Sequence, residues 1–254
     1  MNMQQNISQP KVALITGAAG GLGQALAQIL IDNDYQLIVT SRDSNKLKAA
    51  YGDDHLQIET DCTTVTGAKN IFEVADTHKI TPTAFAHCVG NIRLGALHRM
   101  SEDDFMTCMQ ANLFSAFHTL AAFTGYLKTV KLTGSAVMVS SAAAKIGTPN
   151  HEAISAAKGG LEGLVRGAAA TYASSGIRVN AVAPGLLDTP AASNILSSDL
   201  TREIASKQYP IAGIGNAHDV AQLMAWLLSE HAARVTGQIW SIDGGFASIR
   251  PIVK

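Results

Sequence analysis

No apolar run in this chain approaches the ~20 residues needed to span a bilayer. The leader from Met1 to Pro10 has no basic start, no apolar middle and no small-residue cleavage site. Lys and Arg are scattered singly and the net charge is -1, which gives no electrostatic footprint for nucleic acid or an anionic membrane. Cysteine is scarce: Cys62, Cys88 and Cys108 lack zinc-type spacing and, being three, cannot all pair. The eight histidines show no ligand spacing either, so no metal is expected. These absences predict a soluble, cytoplasmic protein in a reducing compartment, without nucleic-acid or membrane partners. With 254 residues, 47% hydrophobic and 15% charged, the chain can bury one large core. We expect a flexible leader over 1–10 and a single domain over 11–254.

What is present is a regular alternation. Strand-like runs at 11–16, 35–41, 55–60, 83–89, 135–140, 177–183 and 237–242 are separated by helical patterns near 22–32, 44–51, 66–78, 102–130, 150–174 and 217–230. Such alternation implies right-handed βαβ units, hence an α/β, doubly wound Rossmann-type fold with a mostly parallel sheet covered on both faces. Ligands then sit beyond the strand C-termini. The helix from about Ser101 opens with SEDD, a cap followed by acids, and carries an apolar stripe through Phe105, Met109, Leu113, Phe117 and Leu120. Either this stripe, with the Ala- and Gly-rich helix after Pro149, forms a seam in a homo-oligomer (dimer or tetramer), or it is buried within one subunit. The stretch 186–212 is long and irregular, with few polar side chains and no paired charges. It reads as a lid over a pocket for an uncharged or apolar ligand, or as a plain surface excursion.

The segment KVALITGAAGGLG, Lys11 to Gly23, runs from a buried strand through Gly17, Gly21 and Gly23 into a helical pattern. A turn that reverses tightly, brings backbone N–H groups to a pyrophosphate and aims a helix N-terminus at it has no room for side chains. The pattern fits a dinucleotide cradle, although a glycine-rich turn without ligand has the same spelling. The second strand ends at Ser41-Arg42, where NAD-preferring folds place a carboxylate. A hydroxyl and a guanidinium suit a 2'-phosphate instead, favouring NADP over NAD. The alternative is that Arg42 is a solvated cation paired with Asp43 or Asp53. Asp61, with Cys62 behind it, stands where an adenine amino group can be received.

From TGAAGGLG through Asp61, Asn112, Ser141, Lys158 and APG at 183–185 to IDGG at 242–245, the chain resembles the short-chain dehydrogenase/reductase family over nearly its whole length. The resemblance implies a seven-stranded Rossmann sheet and a nicotinamide dinucleotide. It also implies cofactor contacts from Gly17, Ala19, Gly21, Leu22, Gly23, Ser41, Arg42, Asp61, Cys62, Gly90 and Lys158. By the same pattern Pro184 and Gly185 lie under the nicotinamide and Thr189 lies at its carboxamide, and a Pro-Gly turn does let backbone approach a flat ring.

Two departures stand out. Catalysis in the family uses Asn, Ser, Tyr and Lys, with the Tyr four residues before the Lys; here the matching positions are Asn112, Ser141, Ile154 and Lys158. One helical turn, about 6 Å, separates the last two, so the relatives' phenol gives or takes a proton beside an ammonium. Isoleucine can do neither, and loss of a positioned acid typically costs about 10²- to 10⁴-fold in rate. His151, seven residues before Lys158, is the nearest substitute on that face, or else a surface histidine whose side chain leans away toward the helix N-terminus. The second departure is His87-Cys88-Val89-Gly90, where relatives show two Asn, Ala and Gly; the asparagines that brace neighbouring strands are gone. The sequence therefore predicts an NADP(H)-dependent oxidoreductase acting on a small, uncharged carbonyl or alcohol with non-standard proton delivery. Its rival is a catalytically silent NADP(H)-binding sensor or partner subunit.

Overall fold

The strand that opens the sheet, β1 (Lys11–Thr16), is buried from its second residue onward. Its side chains alternate between two cores: Leu14 packs with Phe85, Phe123 and Leu161 on one face, Ala13 and Ile15 with Leu26, Leu30 and Met224 on the other. A strand apolar on both faces needs helices on both, and the computed structural model, which describes residues 10–250, supplies them. The expected leader lies almost wholly outside the described residues.

Six further strands follow: β2 (Tyr35–Ser41), β3 (Leu56–Glu59), β4 (Ala84–His87), β5 (Gly134–Val139), β6 (Ile177–Pro184) and β7 (Ile239–Ile242). They form one sheet in the order β3-β2-β1-β4-β5-β6-β7, every pair parallel. The seven-stranded doubly wound fold read from the sequence is the observed one. The chain order reverses between β1 and β4, so the crevice for a ligand opens at their C-terminal ends. Thr16 stands there in register with Thr40 on one side and His87 on the other.

One face carries α1 (Gly21–Asp32), α2 (Ser44–Tyr51) and, from the far end of the chain, α8 (Ala217–Leu228). The other carries α3 (Val65–Thr77), α5 (Ser115–Val130) and α6 (Glu152–Tyr172), with α4 (Glu102–Met109) leading into α5. The caps are local chemistry: Thr64 accepts from Gly67 N, Ser101 from Asp104 N and Asn216 from Asp219 N.

Three sequence expectations need correction. The helix expected over 102–130 is interrupted by a π-helical turn at Gln110–Phe114. The stretch 186–212 is not irregular throughout: α7 (Asp199–Ser206) lies in it, started by a reciprocal capping box between Ser198 and Thr201. Nor is it without paired charges, since Arg202 of α7 grips Asp188 through two bonds of 2.7 and 3.0 Å. Fourteen residues separate these partners, so no local pattern announces the pair.

Candidate active site

The cradle is built as its glycines require. Gly17 has φ +70°, and a Cβ on it would stand 2.8 Å from the Cys88 carbonyl carbon. One on Gly23 would lie 2.6 Å from Gly17 O. Gly20 caps α1 without any side-chain hydrogen bond, so the first N–H groups of α1, from Gly21 through Gly23 and including Leu22, meet no side-chain acceptor. Ala19 O is held by Gln24 Nε2 at 2.9 Å. Thr189 leans over this loop from the far side, its Cγ2 3.2 Å from a Cβ placed on Gly21. A backbone surface stripped of side chains at an uncapped helix start fits a dinucleotide pyrophosphate.

At the ribose end, Ser41 Oγ accepts from Asp43 N at 3.2 Å and Arg42 is exposed. The carboxylates considered as its partners are engaged elsewhere, Asp43 with Lys46 and Asp53 with Lys48. Arg42 makes no ion pair with either and stands solvated at this rim. Asp61 Oδ1 accepts from Thr63 N and Thr63 Oγ1 at 2.9 and 2.8 Å. Partial burial works to raise the Asp61 carboxyl, but these two bonds and the Arg42 charge outweigh it and hold it below the usual carboxylate range. The Cys62 side chain turns into the core and its thiol is pushed up to about 11 by burial, so only its backbone faces outward chemistry.

Beyond β4, the chain passes Gly90 between Asn112 and Lys158, two of the four positions that the resemblance marks as catalytic. A Cβ on Gly90 would stand 2.7 Å from Asn112 Oδ1 and 3.6 Å from Lys158 Nζ. Asn112 sits in the π-helical turn, buried, and its Nδ2, with two protons to give, lies 2.9–3.1 Å from Asn91 O, Asn91 Oδ1 and Cys108 O. Lys158 is only 5% exposed, and its ammonium donates to Val139 O at 2.7 Å. Burial lowers its pKa from 10.5 to about 8. Ser141, two residues past β5, accepts from Ala143 N at 3.2 Å, which leaves its own hydroxyl proton free to donate. At the opposite rim β6 ends on Pro184, Gly185 N donates to Ile242 O at 3.3 Å, and Tyr209 presses on Gly185 while accepting from Leu186 N at 2.7 Å.

Ile154 fills the position of the expected phenol. It is 6% exposed and packs with Cys108, Ala143 and Ala153, flanked by Met100 and Phe105. His151 is not in the first turn of α6 as the sequence suggested. It is the N-cap residue, its ring Nδ1 2.8 Å from Pro149 O. A carbonyl can only accept, so Nδ1 carries a proton.

Sequence reading missed what three residues do. Asn91 locks Asn112, Tyr209 closes the rim beside Gly185, and His87 restores the bracing that the absent asparagines suggested was lost. The His87 ring, fully buried, is held by Thr16 Oγ1 at 2.8 Å and Ser115 Oγ at 3.1 Å, with Thr119 Oγ1 lying 3.1 Å from its Nδ1. These partners lie 28 to 71 residues away in sequence, and only the threonine and serine types hinted at them.

Comparison with known proteins points one way. The family model described as enoyl-(acyl carrier protein) reductase matches residues 17–247. The 3-oxoacyl-[acyl-carrier-protein] reductase of Bos taurus is 32% identical over 240 residues, covering 92% of this chain and 97% of that protein. The cis-4-hydroxycyclohexanecarboxylate dehydrogenase of Sinomonas cyclohexanicum is 31% identical over 256 residues, covering 94% and 97%. Among solved structures, ElxO with NADP bound superposes with a TM-score of 0.87 at 26% identity, covering 95% of this chain and 100% of that one.

Proposed function

The chain belongs to the short-chain dehydrogenase/reductase family of nicotinamide-dependent oxidoreductases, and from that premise we propose that it is an NADP(H)-dependent enzyme acting on a small, uncharged carbonyl or alcohol. Residues 11–254 would be its single domain and 186–212 its lid. The observation that carries this reading is the convergence of Asn112 and Lys158 on Gly90, with Ser141 still holding a proton to donate. A protein that only bound a dinucleotide would need the lysine but would have little use for the serine.

The glycine loop and the α1 N-terminus would hold the pyrophosphate, Arg42 with Ser41 the 2'-phosphate, and Asp61 the adenine amino group. Pro184, Gly185 and Thr189 would receive the nicotinamide, and Lys158 its ribose. When bound, the nicotinamide supplies or takes a hydride at C4. Ser141 donates its free hydroxyl proton to the substrate oxygen and so stabilises charge growing there. Asn112 and Lys158 support a water between them. The proton itself cannot come from Ile154. His151 or a water chain through Lys158 would deliver it, unless the substrate needs no such acid.

The buried, apolar setting of Ile154 favours a second reading, a silent NADP(H)-binding sensor or partner subunit. The two separate in one assay series: calorimetric affinities for NADPH and NADH, followed by turnover on ketones, quinones, enones and their alcohols. Tight NADPH binding with turnover supports the enzyme, and His151→Ala should then slow it sharply. Binding without turnover on any of them selects the sensor, and no uptake of either nucleotide overturns both.

A homo-oligomer is part of the proposal. Of the stripe, Phe117 is 49% exposed, and Met106 at 38% and Phe114 at 36% add to the exposed apolar surface of the α4–α5 rod, while Leu120 is buried. Among the described residues no helix is long and apolar enough to cross a membrane. Cys62, Cys88 and Cys108 are all free thiols, which supports a reducing, cytoplasmic setting.

A further inference from the structure

The π-helical turn that carries Asn112 leaves a carbonyl without its helical donor. Ser115 N reaches back five residues to Gln110 O, so Ala111 O loses the N–H it would have had in an α-helix. The Ser115 hydroxyl replaces it, donating to Ala111 O at 2.7 Å. That hydroxyl has one proton and spends it there. Its contact with His87 Nε2 at 3.1 Å must then be a bond that it accepts, which makes Nε2 the protonated nitrogen. Nδ1, bare of a proton, accepts from Thr16 Oγ1 at 2.8 Å, while Thr119 Oγ1 gives its proton to Ser115 O at the same distance. Thr119 Oγ1, its proton spent, offers Nδ1 no bond, so its 3.1 Å approach to that nitrogen is a packing contact.

We infer that His87 is a positioning residue: as a neutral Nε2–H imidazole it orients Ser115, which completes the π-helical turn and so sets the Asn112 side chain toward Asn91 and Gly90. The function follows from the placement. His87 ends β4, in register with Thr16 at the end of β1, and the same ring therefore ties the entry of the glycine loop to the turn that presents Asn112. Full burial, with Lys158 as the neighbouring charge, lowers the imidazole pKa to about 3 and keeps it neutral across the working range. The ring acts as a fixed two-ended strut and moves no proton to the substrate.

The catalytic part of this inference rests on the enzyme reading above; the geometric part does not, and the test separates them. His87→Asn keeps an acceptor at the Nδ1 position for Thr16 and loses the donor to Ser115. His87→Gln keeps a donor near the Nε2 position and loses the acceptor. Ser115→Ala removes the hydroxyl alone and serves if His87→Asn does not fold. In ¹⁵N-labelled protein the side-chain amide resonances of Asn112 should shift in His87→Asn and in Ser115→Ala, and return toward the native position in His87→Gln. Where the wild type turns over, kcat should fall by about 10- to 100-fold in the first two, with NADPH affinity unchanged and no further loss in the double variant. A general packing role would instead lower stability in both histidine variants and leave the Asn112 signals in place. Unmoved Asn112 resonances in Ser115→Ala, or His87→Gln behaving like His87→Asn, overturn the inference. A wild type without turnover overturns the enzyme reading alone, because the resonances still decide whether His87 sets Asn112.

Discussion

Lys158 Nζ donates to the Val139 carbonyl oxygen at 2.7 Å, so the last residue of β5 holds the ammonium in place while leaving its other protons for the site. Burial makes that charge costly, and the bond to Val139 offsets only part of the cost. The folded-state pKa is about 8 against 10.5 for the unfolded chain. Between these values the unfolded chain binds more protons, so stability rises with pH across this window, and the cost is fully present below about 8. Lys158→Met should therefore be more stable than wild type near neutrality, by an amount on the order of 1–3 kcal/mol, and the advantage should vanish by pH 10.5. Urea unfolding of both proteins across that range checks it. Nucleotide affinity should do the reverse, weakening in wild type as pH passes 8 and staying flat in the variant.

Arg42 is exposed, with Asp43 and Asp53 both taken by lysines. Arg42→Ala should weaken NADPH by about 10- to 100-fold, the worth of charge-assisted bonds to a phosphate, while NADH changes little because it has no such group. Calorimetry with both nucleotides measures the ratio. Equal weakening would assign the arginine to the loop's own structure.

The parts legible in the sequence were those whose signal is local. Buried strands such as Val12 to Ile15, the glycines around the start of α1 and the Ser101 cap each carry their physics within a few residues. The π-helical turn was not legible from periodicity, because Gln110 to Phe114 contain no proline or glycine and read as ordinary helix. Beside it, Ser115 Oγ donates to Ala111 O and contacts His87 of β4, partners that no local pattern brings together. The same holds for α7. Its apolar residues Leu200 and Ile204 are 65% and 54% exposed, so no buried stripe marks it, and its capping box with the bond to Asp188 holds it instead.

That bond ties α7 to the loop after β6, within the segment proposed as a lid. Arg202 and Asp188 meet as a planar fork on a carboxylate, yet both remain well exposed. Arg202→Met should loosen α7 from the loop after β6 without disturbing the sheet. Limited proteolysis should then cut sooner within 186–212, and KM for substrate should rise a few-fold while NADPH affinity holds. High salt applied to wild type should reproduce part of the effect. Unchanged proteolysis would mean the capping box alone keeps α7 in place.

The sharpest test is Ile154→Tyr. Ile154 lies one helical turn before Lys158 and is walled by Cys108, Ala143 and Ala153, so a phenol has two ways to fit. Pressed inward it overpacks the cluster, at a cost of roughly 1–3 kcal/mol. Turned outward, its oxygen comes beside the Lys158 ammonium, which lowers the phenol pKa and prepares it to donate. The outward placement should raise ketone reduction by NADPH about 10²- to 10⁴-fold over wild type. Ile154→Phe brings the same ring without the oxygen, so it should share any loss of stability and show none of the gain. If the tyrosine variant folds, binds NADPH and still reduces no ketone, then Asn112, Ser141 and Lys158 do not form a working site around that position, and the sensor reading takes precedence.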